Sequence, residues 1–218
     1  MYDLIVSGGK IVLEEEVVCA DIGVKDGKIT AMRELPSDCA AEVIDAQGKY
    51  IFPGLVDCHV HLNDPGFTWR EDFNAGTSAA AAGGVTTVID MPLQNEPPLF
   101  NLNAFSKKIG VLSGRAAVDY AFWGAALDYN IDDIKELHKA GCVAYKIFLG
   151  PVSEDYQTLG EETIAKVVEE VLKFDGLIGF HAEDYSIIKG EESKFFNKNN
   201  CGWRDYLATR PVSAELTA

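Results

Sequence analysis

The sequence is short of basic residues. Nineteen lysines and arginines stand against 34 aspartates and glutamates, and the formal net charge is −15 at pH 7. A polyanion of this kind repels both the phosphate backbone of nucleic acids and an anionic membrane surface. We therefore expect no nucleic-acid partner and no membrane partner. The acidity is typical of a protein dissolved in the cytoplasm, which is the predicted location.

The sequence also lacks paired cysteines and long apolar runs. Its five cysteines are widely spaced, their number is odd, and no Cys-x-x-Cys occurs. This excludes a disulfide framework and a thiolate zinc site, and we expect the cysteines to be reduced and mostly buried. The longest stretch without charge, residues 73–89, is interrupted by Gly, Ser, Thr and Asn. It is therefore not expected to span a membrane.

The pattern that is present changes near Pro53-Gly54. Residues 1–52 carry short β-prone runs and an Asp26-Gly27 hairpin signal, which predicts a small β-sandwich segment. Residues 53–218 alternate apolar strand patterns with helix patterns, which predicts an α/β fold with a parallel sheet, either a barrel or a doubly wound sheet. No Gly-x-Gly-x-x-Gly follows the first strand, so a dinucleotide-binding sheet has little support. The predicted strands are 55–62, 85–89, 116–123, 142–149 and 177–181, and the predicted helices are 71–82, 103–112, 132–140 and 161–174.

The number of predicted strands falls short of a complete barrel. A (β/α)8 TIM-type barrel has eight strands and about 250 residues, whereas residues 53–218 provide five. We therefore expect a small N-terminal β-sandwich domain over residues 1–52 and the first part of a barrel over residues 53–218. The sequence is expected to be truncated relative to a complete barrel.

Three of the four histidines end predicted strands. His59 and His61 are two residues apart, so their imidazoles point to the same side of the first barrel strand. His181 ends the fifth strand and would reach the same rim, because active residues of barrels lie at the carboxyl ends of strands. Neutral imidazole binds zinc and similar ions. The alternative for each is an ordinary buried or surface histidine, and His138, in mid-helix among charged residues, is expected to be solvated.

Lys146 lies inside the apolar strand pattern Cys142-Val143-Ala144-Tyr145-Lys146-Ile147-Phe148-Leu149. Burying a lysine is costly unless a partner uses it. An ion pair with an acid is one explanation. The other is a lysine that burial makes easy to deprotonate and that CO2 converts to a carbamate able to bridge two metal ions.

Several motifs resemble those of the cyclic amidohydrolases, the family of allantoinase, dihydroorotase and hydantoinase. They are Gly54-Leu55-Val56-Asp57-Cys58-His59-Val60-His61-Leu62-Asn63-Asp64-Pro65-Gly66, the run from Gly76 to Pro92, and the run from Val118 to Gly124, which looks like the allantoinase branch. The resemblance extends from the N-terminal strands to the end of the chain, which looks like an N-terminal portion of such an enzyme.

The resemblance implies a metal-dependent hydrolase of cyclic amide C–N bonds with two divalent ions, zinc being expected. It implies metal ligands at His59, His61, carboxylated Lys146 and His181. The remaining histidine ligand and the aspartate that acts as general base are expected beyond residue 218. The family also implies a homotetramer.

The predicted substrate is a small neutral cyclic ureide, foremost allantoin, opened to allantoate in purine catabolism. Dihydroorotase-like enzymes carry an arginine at the position of Asn63, which would pair with a substrate carboxylate, whereas an amide suits a neutral ureide. Asn63 and Asn95 are the predicted substrate contacts, although Asn63 could be only a turn residue. Phe67 and Gln94 depart from the allantoinase pattern. The alternatives are dihydroorotase activity, hydantoinase or dihydropyrimidinase activity, and a non-catalytic assembly protein on the same fold.

Overall fold

The computed structural model describes residues 1–150, 152, 156–195 and 202–218. Within them the chain divides into two compact units, Met1–Gly54 and Leu55–Ala218. No described helix is both long enough and apolar enough to cross a membrane.

The first unit is a five-stranded sheet in which β1 lies between β2 and β4. β1 pairs antiparallel with β2 and parallel with β4 and the short β5, and β3 pairs antiparallel with β2. β1 continues through Gly8 and Gly9 as one strand, and its pairing with β2 shifts register between Val6 and Gly9. Its strands are β1 Tyr2–Val12, β2 Val17–Lys25, β3 Lys28–Arg33, β4 Ala40–Asp45 and β5 Tyr50–Ile51.

The second unit is built on a parallel five-stranded sheet with the strand order β10-β9-β8-β7-β6. This order follows the chain, as successive strand–helix units of a barrel require. The predicted fold class, a partial (β/α)8 barrel preceded by a small N-terminal β segment, is confirmed. Its strands are β6 Leu55–Val60, β7 Val85–Asp90, β8 Asp119–Ala125, β9 Cys142–Phe148 and β10 Leu177–His181.

Local capping sets where the helices of this unit begin and end. Asp72 caps α1 by accepting a hydrogen bond from the Ala75 amide, so the helix starts two residues later than predicted. Asn101 caps α2 in the same way, and α3 ends at Gly141, which adopts a left-handed backbone conformation. The helices are α1 Phe73–Ala82, α2 Leu102–Leu112, α3 Ile134–Ala140, α4 Glu161–Leu172, α5 Tyr185–Ser193, α6 Trp203–Ala208 and α7 Val212–Thr217.

Strand β8 starts three residues later than the apolar pattern predicted. The amide of Ala117 donates to the hydroxyl of Thr77 on α1 instead of entering the sheet ladder. The strand therefore begins at Asp119 and runs on to the buried Ala125.

Apolar side chains fill both faces of the parallel sheet. The core between the sheet and the helices includes Phe73, Phe122, Tyr145 and Ile147. A second cluster packs on the opposite face and includes Trp123, Ala144 and Phe148. Because successive residues of a strand alternate between faces, Lys146 shares the face of Ala144 and Phe148.

The expectation that the cysteines are mostly buried was wrong. Of the four in the described residues, Cys142 alone is buried, while Cys19 and Cys58 are exposed and Cys39 is half-buried. Cys142 on β9 faces the sheet–helix core, whereas Cys19 and Cys58 point from their strands to open faces and Cys39 ends the short turn Ser37–Cys39. Burial raises the pKa of the Cys142 thiol to about 12, which makes it a poor nucleophile. Cys201 lies outside the described residues.

Candidate functional site

The carboxyl end of β6 presents two adjacent imidazoles. The pairing of β6 with β7 shifts register between Asp57 and Val60, so a bulge interrupts the ladder where His59 lies. Bulges of this kind re-aim side chains near active sites. The ring centroids of His59 and His61 are 5.5 Å apart and their planes are inclined by 47°. The two rings are thus close enough to converge on one small ligand.

Lys146 lies on β9, near the same carboxyl end of the sheet. It is buried, with 5% of its surface exposed, and its Nζ lies 5.6 Å from the centroid of the Phe148 ring. No carboxylate pairs with it among the described residues, so the ion-pair explanation for this lysine finds no partner there. Burial lowers its pKa, which favours the neutral amine.

His181 ends β10, the strand next to β9. Its ring lies 5.9 Å from that of Phe148, and its Nε2 is 2.8 Å from Oε2 of Glu183. The other oxygen of Glu183 lies 3.8 Å from Nε of Arg210. The carboxylate therefore fixes the orientation of the imidazole and is itself held by a cation.

One cavity of about 210 Å³ is lined by His59, His61, Lys146 and His181, together with Leu93, Gln94, Phe148 and Val152. The four predicted metal ligands, His59, His61, Lys146 and His181, are thus brought to a single site. They come from β9, from β10 and from β6 with the residue directly after it, and they meet because the carboxyl ends of parallel strands share one edge of the sheet.

The electrostatics of the cavity favour the neutral forms of His59 and His61. Burial lowers the pKa of both His59 and His61. The positive charge of Lys146 lowers the pKa of His59 further, whereas Asp57 raises it. A neutral imidazole offers a lone pair to an ion, so this protonation state is the one that a metal site needs.

A buried nitrogen of His61 bears on whether the cavity fits a metal ion. The Nδ1 atom of His61 is buried and has no hydrogen-bond partner in the part of the chain that the structure describes, although buried polar atoms are normally satisfied. Across the described ranges, no group of three or more His, Cys, Asp or Glu side chains is arranged so that it could hold a metal ion. The donor set that is present, three imidazoles and a lysine, suits metal ions once the lysine carries a carboxylate.

The comparisons with known proteins agree with this geometry. Residues 50–200 match the model of the amidohydrolase family, a range that contains all four of these side chains. The chain belongs to the amidohydrolase family. It is 38% identical over 217 residues to an allantoinase of Desulfitobacterium hafniense (strain Y51), covering 99% of this chain and 48% of that relative. An allantoinase of Bacillus velezensis is 34% identical over 218 residues, 100% of this chain and 48% of that protein.

A solved structure with a similar fold also comes from an enzyme that is similar in sequence to this chain. The L-hydantoinase (dihydropyrimidinase) from Arthrobacter aurescens superimposes with a TM-score of 0.95 at 33% identity, over 100% of this chain and 49% of that chain. The chain thus spans about half the length of the relatives that it matches.

The two predicted substrate contacts of this amidohydrolase differ in their surroundings. Asn63 is buried in a left-handed conformation, with φ +51°. Its Nδ2 donates to the His61 carbonyl, and its Oδ1 is buried without a partner among the described residues. Asn95 uses its whole amide within the protein, donating to the carbonyls of residues 91–93 and accepting from Lys108. Substrate binding by either residue stays a prediction.

Sequence reasoning missed Glu183, Asp90 and Lys108. Glu183 stands two residues after His181, where the alternation of an extended segment could have signalled a partner for the ring. Lys108 occupies one stripe of α2 with the buried Ala104 and Leu112, and a lysine at that spacing could have signalled a buried charge. His138 was assigned correctly to the surface: it is exposed and stacks on Phe174, with 4.1 Å between ring centroids.

Proposed function

We propose that this amidohydrolase opens the ring of a small neutral cyclic ureide by hydrolysing an amide C–N bond, with allantoin as the substrate and allantoate as the product. The observation that carries the proposal is the convergence of His59, His61, Lys146 and His181 on one cavity. The similarity to two allantoinases over the whole chain supports the choice of ring.

The residues of the cavity fit a pair of divalent ions, which we propose to be zinc. His59 and His61 would hold one ion, and His181 would hold the second. Lys146 would contact both after its neutral amine adds to CO2, forming a carbamate and releasing one proton. When bound, the ions would supply an activated water and polarise the ring carbonyl. The aspartate that the family resemblance implies as general base stays a prediction.

The chain itself contributes the conditions for this chemistry. Burial of Lys146 favours the uncharged amine that CO2 requires. Burial of His61 and, to a smaller extent, of His59 keeps their rings available as neutral donors. Asn63, whose Oδ1 has no hydrogen-bond partner among the described residues, would offer an acceptor to a ureide N–H without introducing a positive charge that would select a carboxylate.

A second candidate is the opening of hydantoin or dihydropyrimidine rings. It is favoured by the TM-score of 0.95 with the Arthrobacter aurescens L-hydantoinase. Hydantoin and allantoin contain the same five-membered ureide ring, so the difference lies in the substituent and not in the bond that is cleaved. We further propose a cytoplasmic homotetramer, as the family resemblance implies.

The test is a metal analysis and a substrate panel on the full gene product. We expect about two zinc ions per chain and turnover of allantoin above hydantoin, dihydrouracil and dihydroorotate. Lys146→Ala should lose both the bound metal and the activity, while His138→Asn, outside the cavity, should keep both. If the protein binds metal but turns over hydantoin alone, the proposed substrate would be wrong and hydantoin would replace allantoin. A wild-type protein without metal or turnover would refute the hydrolase and favour a non-catalytic assembly protein.

A further inference from the structure

A buried ion pair lies behind the wall of the cavity. Asp90, the last residue of β7, is fully buried, and its Oδ2 accepts a 2.5 Å hydrogen bond from Nζ of Lys108 on α2. The side chain of Lys108 is 2% exposed. Its Nζ also donates to Oδ1 of Asn95 at 2.7 Å and lies 5.0 Å from the centroid of the Phe122 ring.

Each end of this pair reaches a segment that lines the cavity. The second oxygen of Asp90, Oδ1, accepts a 2.9 Å hydrogen bond from the amide of Leu62, the residue directly after His61. On the other side, the amide group of Asn95 donates to the carbonyls of Met91, Pro92 and Leu93. Leu93 and Gln94 are part of the cavity wall.

Stability alone does not account for such a pair. Removing two charges from water costs about as much as their attraction returns, and apolar residues of similar volume often serve as well in a core. Among the described residues, every hydrogen bond of the Asp90 carboxylate and the Lys108 ammonium ends either on the backbone after His61 or within residues 90–95. The pair therefore does something that an apolar filling could not do: it connects two particular stretches of backbone.

We propose that Asp90 and Lys108 are positioning residues that hold the backbone after His61 and the loop of residues 91–95 in one fixed relation. The imidazole of His61 and the Leu93–Gln94 wall then keep their places together when a ligand enters. This inference rests on the proposed function for its chemical consequence, since it assigns to His61 a task that requires precise placement. The connection between the two segments can be tested without that assumption.

Two double substitutions separate the connection from simple stability. Asp90→Asn with Lys108→Met removes both charges but keeps an acceptor for the Leu62 amide. Asp90→Leu with Lys108→Met removes the acceptor as well. Neither leaves an unpaired buried charge, so both are expected to fold. Thr77→Val is the matched control, because it deletes a buried hydroxyl that bonds to Phe73 and Ala117 and touches no residue of the cavity.

The first measurement is hydrogen–deuterium exchange on the full gene product. In the Asp90→Leu/Lys108→Met variant, we expect exchange to rise in residues 59–64 and 91–95 together. In Asp90→Asn/Lys108→Met, the rise should be confined to residues 91–95. Thr77→Val should change neither segment. Equal exchange in all variants, or a rise spread evenly over the chain, would overturn the proposal.

The second measurement is the dissociation constant for Zn²⁺, obtained by competition with a chelator. Residues that orient metal ligands typically alter metal affinity by about 10–100-fold when they are replaced, and we expect a loss in this range for Asp90→Leu/Lys108→Met. A loss below about twofold, with Thr77→Val as the reference, would contradict a role in placing His61. If the wild-type protein binds no Zn²⁺, the proposed function fails, and the exchange result still decides whether the two segments are connected.

Discussion

The indole Nε1 of Trp123 on β8 donates a 2.9 Å hydrogen bond to the carbonyl oxygen of Cys58 on β6. Cys58 lies within the bulge that precedes Val60, so its carbonyl has left the regular ladder with β7. A side chain from two strands away thus satisfies the backbone group that the bulge released. The bond fixes the peptide that leads into His59.

Replacing Trp123 by phenylalanine should therefore loosen this strand end. The ring would still fill most of the space, but the Cys58 carbonyl would lose its donor. We expect the free energy of unfolding to fall by about 1 kcal/mol, measured by urea denaturation with circular dichroism. Trp203→Phe is the control, because Trp203 is 68% exposed and its loss should leave stability unchanged. Equal effects of the two substitutions would show that the hydrogen bond contributes nothing.

Gly179 on β10 provides a second way to disturb the same indole. A Cβ added there would lie 2.8 Å from Cζ3 and 2.9 Å from Cη2 of Trp123, closer than atoms can pack. We expect Gly179→Ala to destabilise the protein by about 1–3 kcal/mol. Because phenylalanine lacks these two atoms, the cost should shrink in a Trp123→Phe background, giving a non-additive double-mutant cycle in urea denaturation.

Gly110 is the reference for that cycle. It lies in α2, and nothing lies within 4 Å of the Cβ that alanine would add. Gly110→Ala should stabilise the protein by about 0.5–1 kcal/mol, because alanine loses less backbone entropy in a helix. If the losses of unfolding free energy from Gly179→Ala and Trp123→Phe were fully additive, contact with the indole would not be the reason for a glycine at position 179.

The loop after His61 depends on a different contact. The carboxylate of Asp64, 1% exposed, forms an ion pair with Arg115, in which Oδ2 lies 2.9 Å from Nη1. It also accepts a 3.3 Å hydrogen bond from the amide of Phe73. Arg115→Met would leave this buried charge without its cation. Since the arginine is one-third exposed and its field is screened by water, we expect a loss of about 2 kcal/mol in urea denaturation.

Neutralising both partners should restore most of that loss. In Arg115→Met/Asp64→Asn no buried charge is left unpaired, and the side-chain oxygen of the new asparagine can still accept a hydrogen bond from the backbone N–H of Phe73. Lys25→Met, which breaks the exposed pair with Asp3, should have no measurable effect. A double variant no more stable than Arg115→Met would show that the unpaired carboxylate is not the cause.

Local patterns were sufficient to single out the four side chains that the structure brings to one cavity, whose role as metal ligands stays a prediction. The two-residue spacing of His59 and His61, and the place of His181 at the end of an apolar run, follow from strand periodicity and from the carboxyl-end rule for parallel strands. Lys146 stood out because a charge inside an apolar strand needs an explanation. These signals involve only a few neighbouring residues, which is why a single sequence carries them.

The groups that hold these four side chains in place could not be predicted in this way. Trp123 and Cys58 are 65 residues apart, and Asp90 and Lys108 meet only because α2 packs on the end of β7. Such contacts depend on strand register, on the bulge before Val60 and on helix placement, none of which follows from local periodicity. The same limit explains the late start of β8, where the Thr77 hydroxyl competes with the sheet for an amide.

The lowered pKa values of His61 and His59 predict how the ion-free protein responds to acid. Their pKa values are lowered in the folded chain, mainly by burial, whereas in the unfolded chain histidine titrates near about 6.5. Above that pH both states are neutral at these positions. As the pH falls below it, the unfolded chain binds protons that the folded chain does not yet accept, so the free energy of unfolding falls until the folded-state pKa values are reached.

A comparison of variants isolates this contribution from the other groups that titrate in acid. Urea denaturation of the chelator-treated protein at about pH 7.5 and 5.5, on either side of the unfolded-state value, should show a smaller loss for His59→Gln/His61→Gln than for the wild type. If the double variant loses as much stability as the wild type, the two imidazoles are no more buried than in the unfolded chain, and the electrostatic basis for their neutral, ion-binding state is removed.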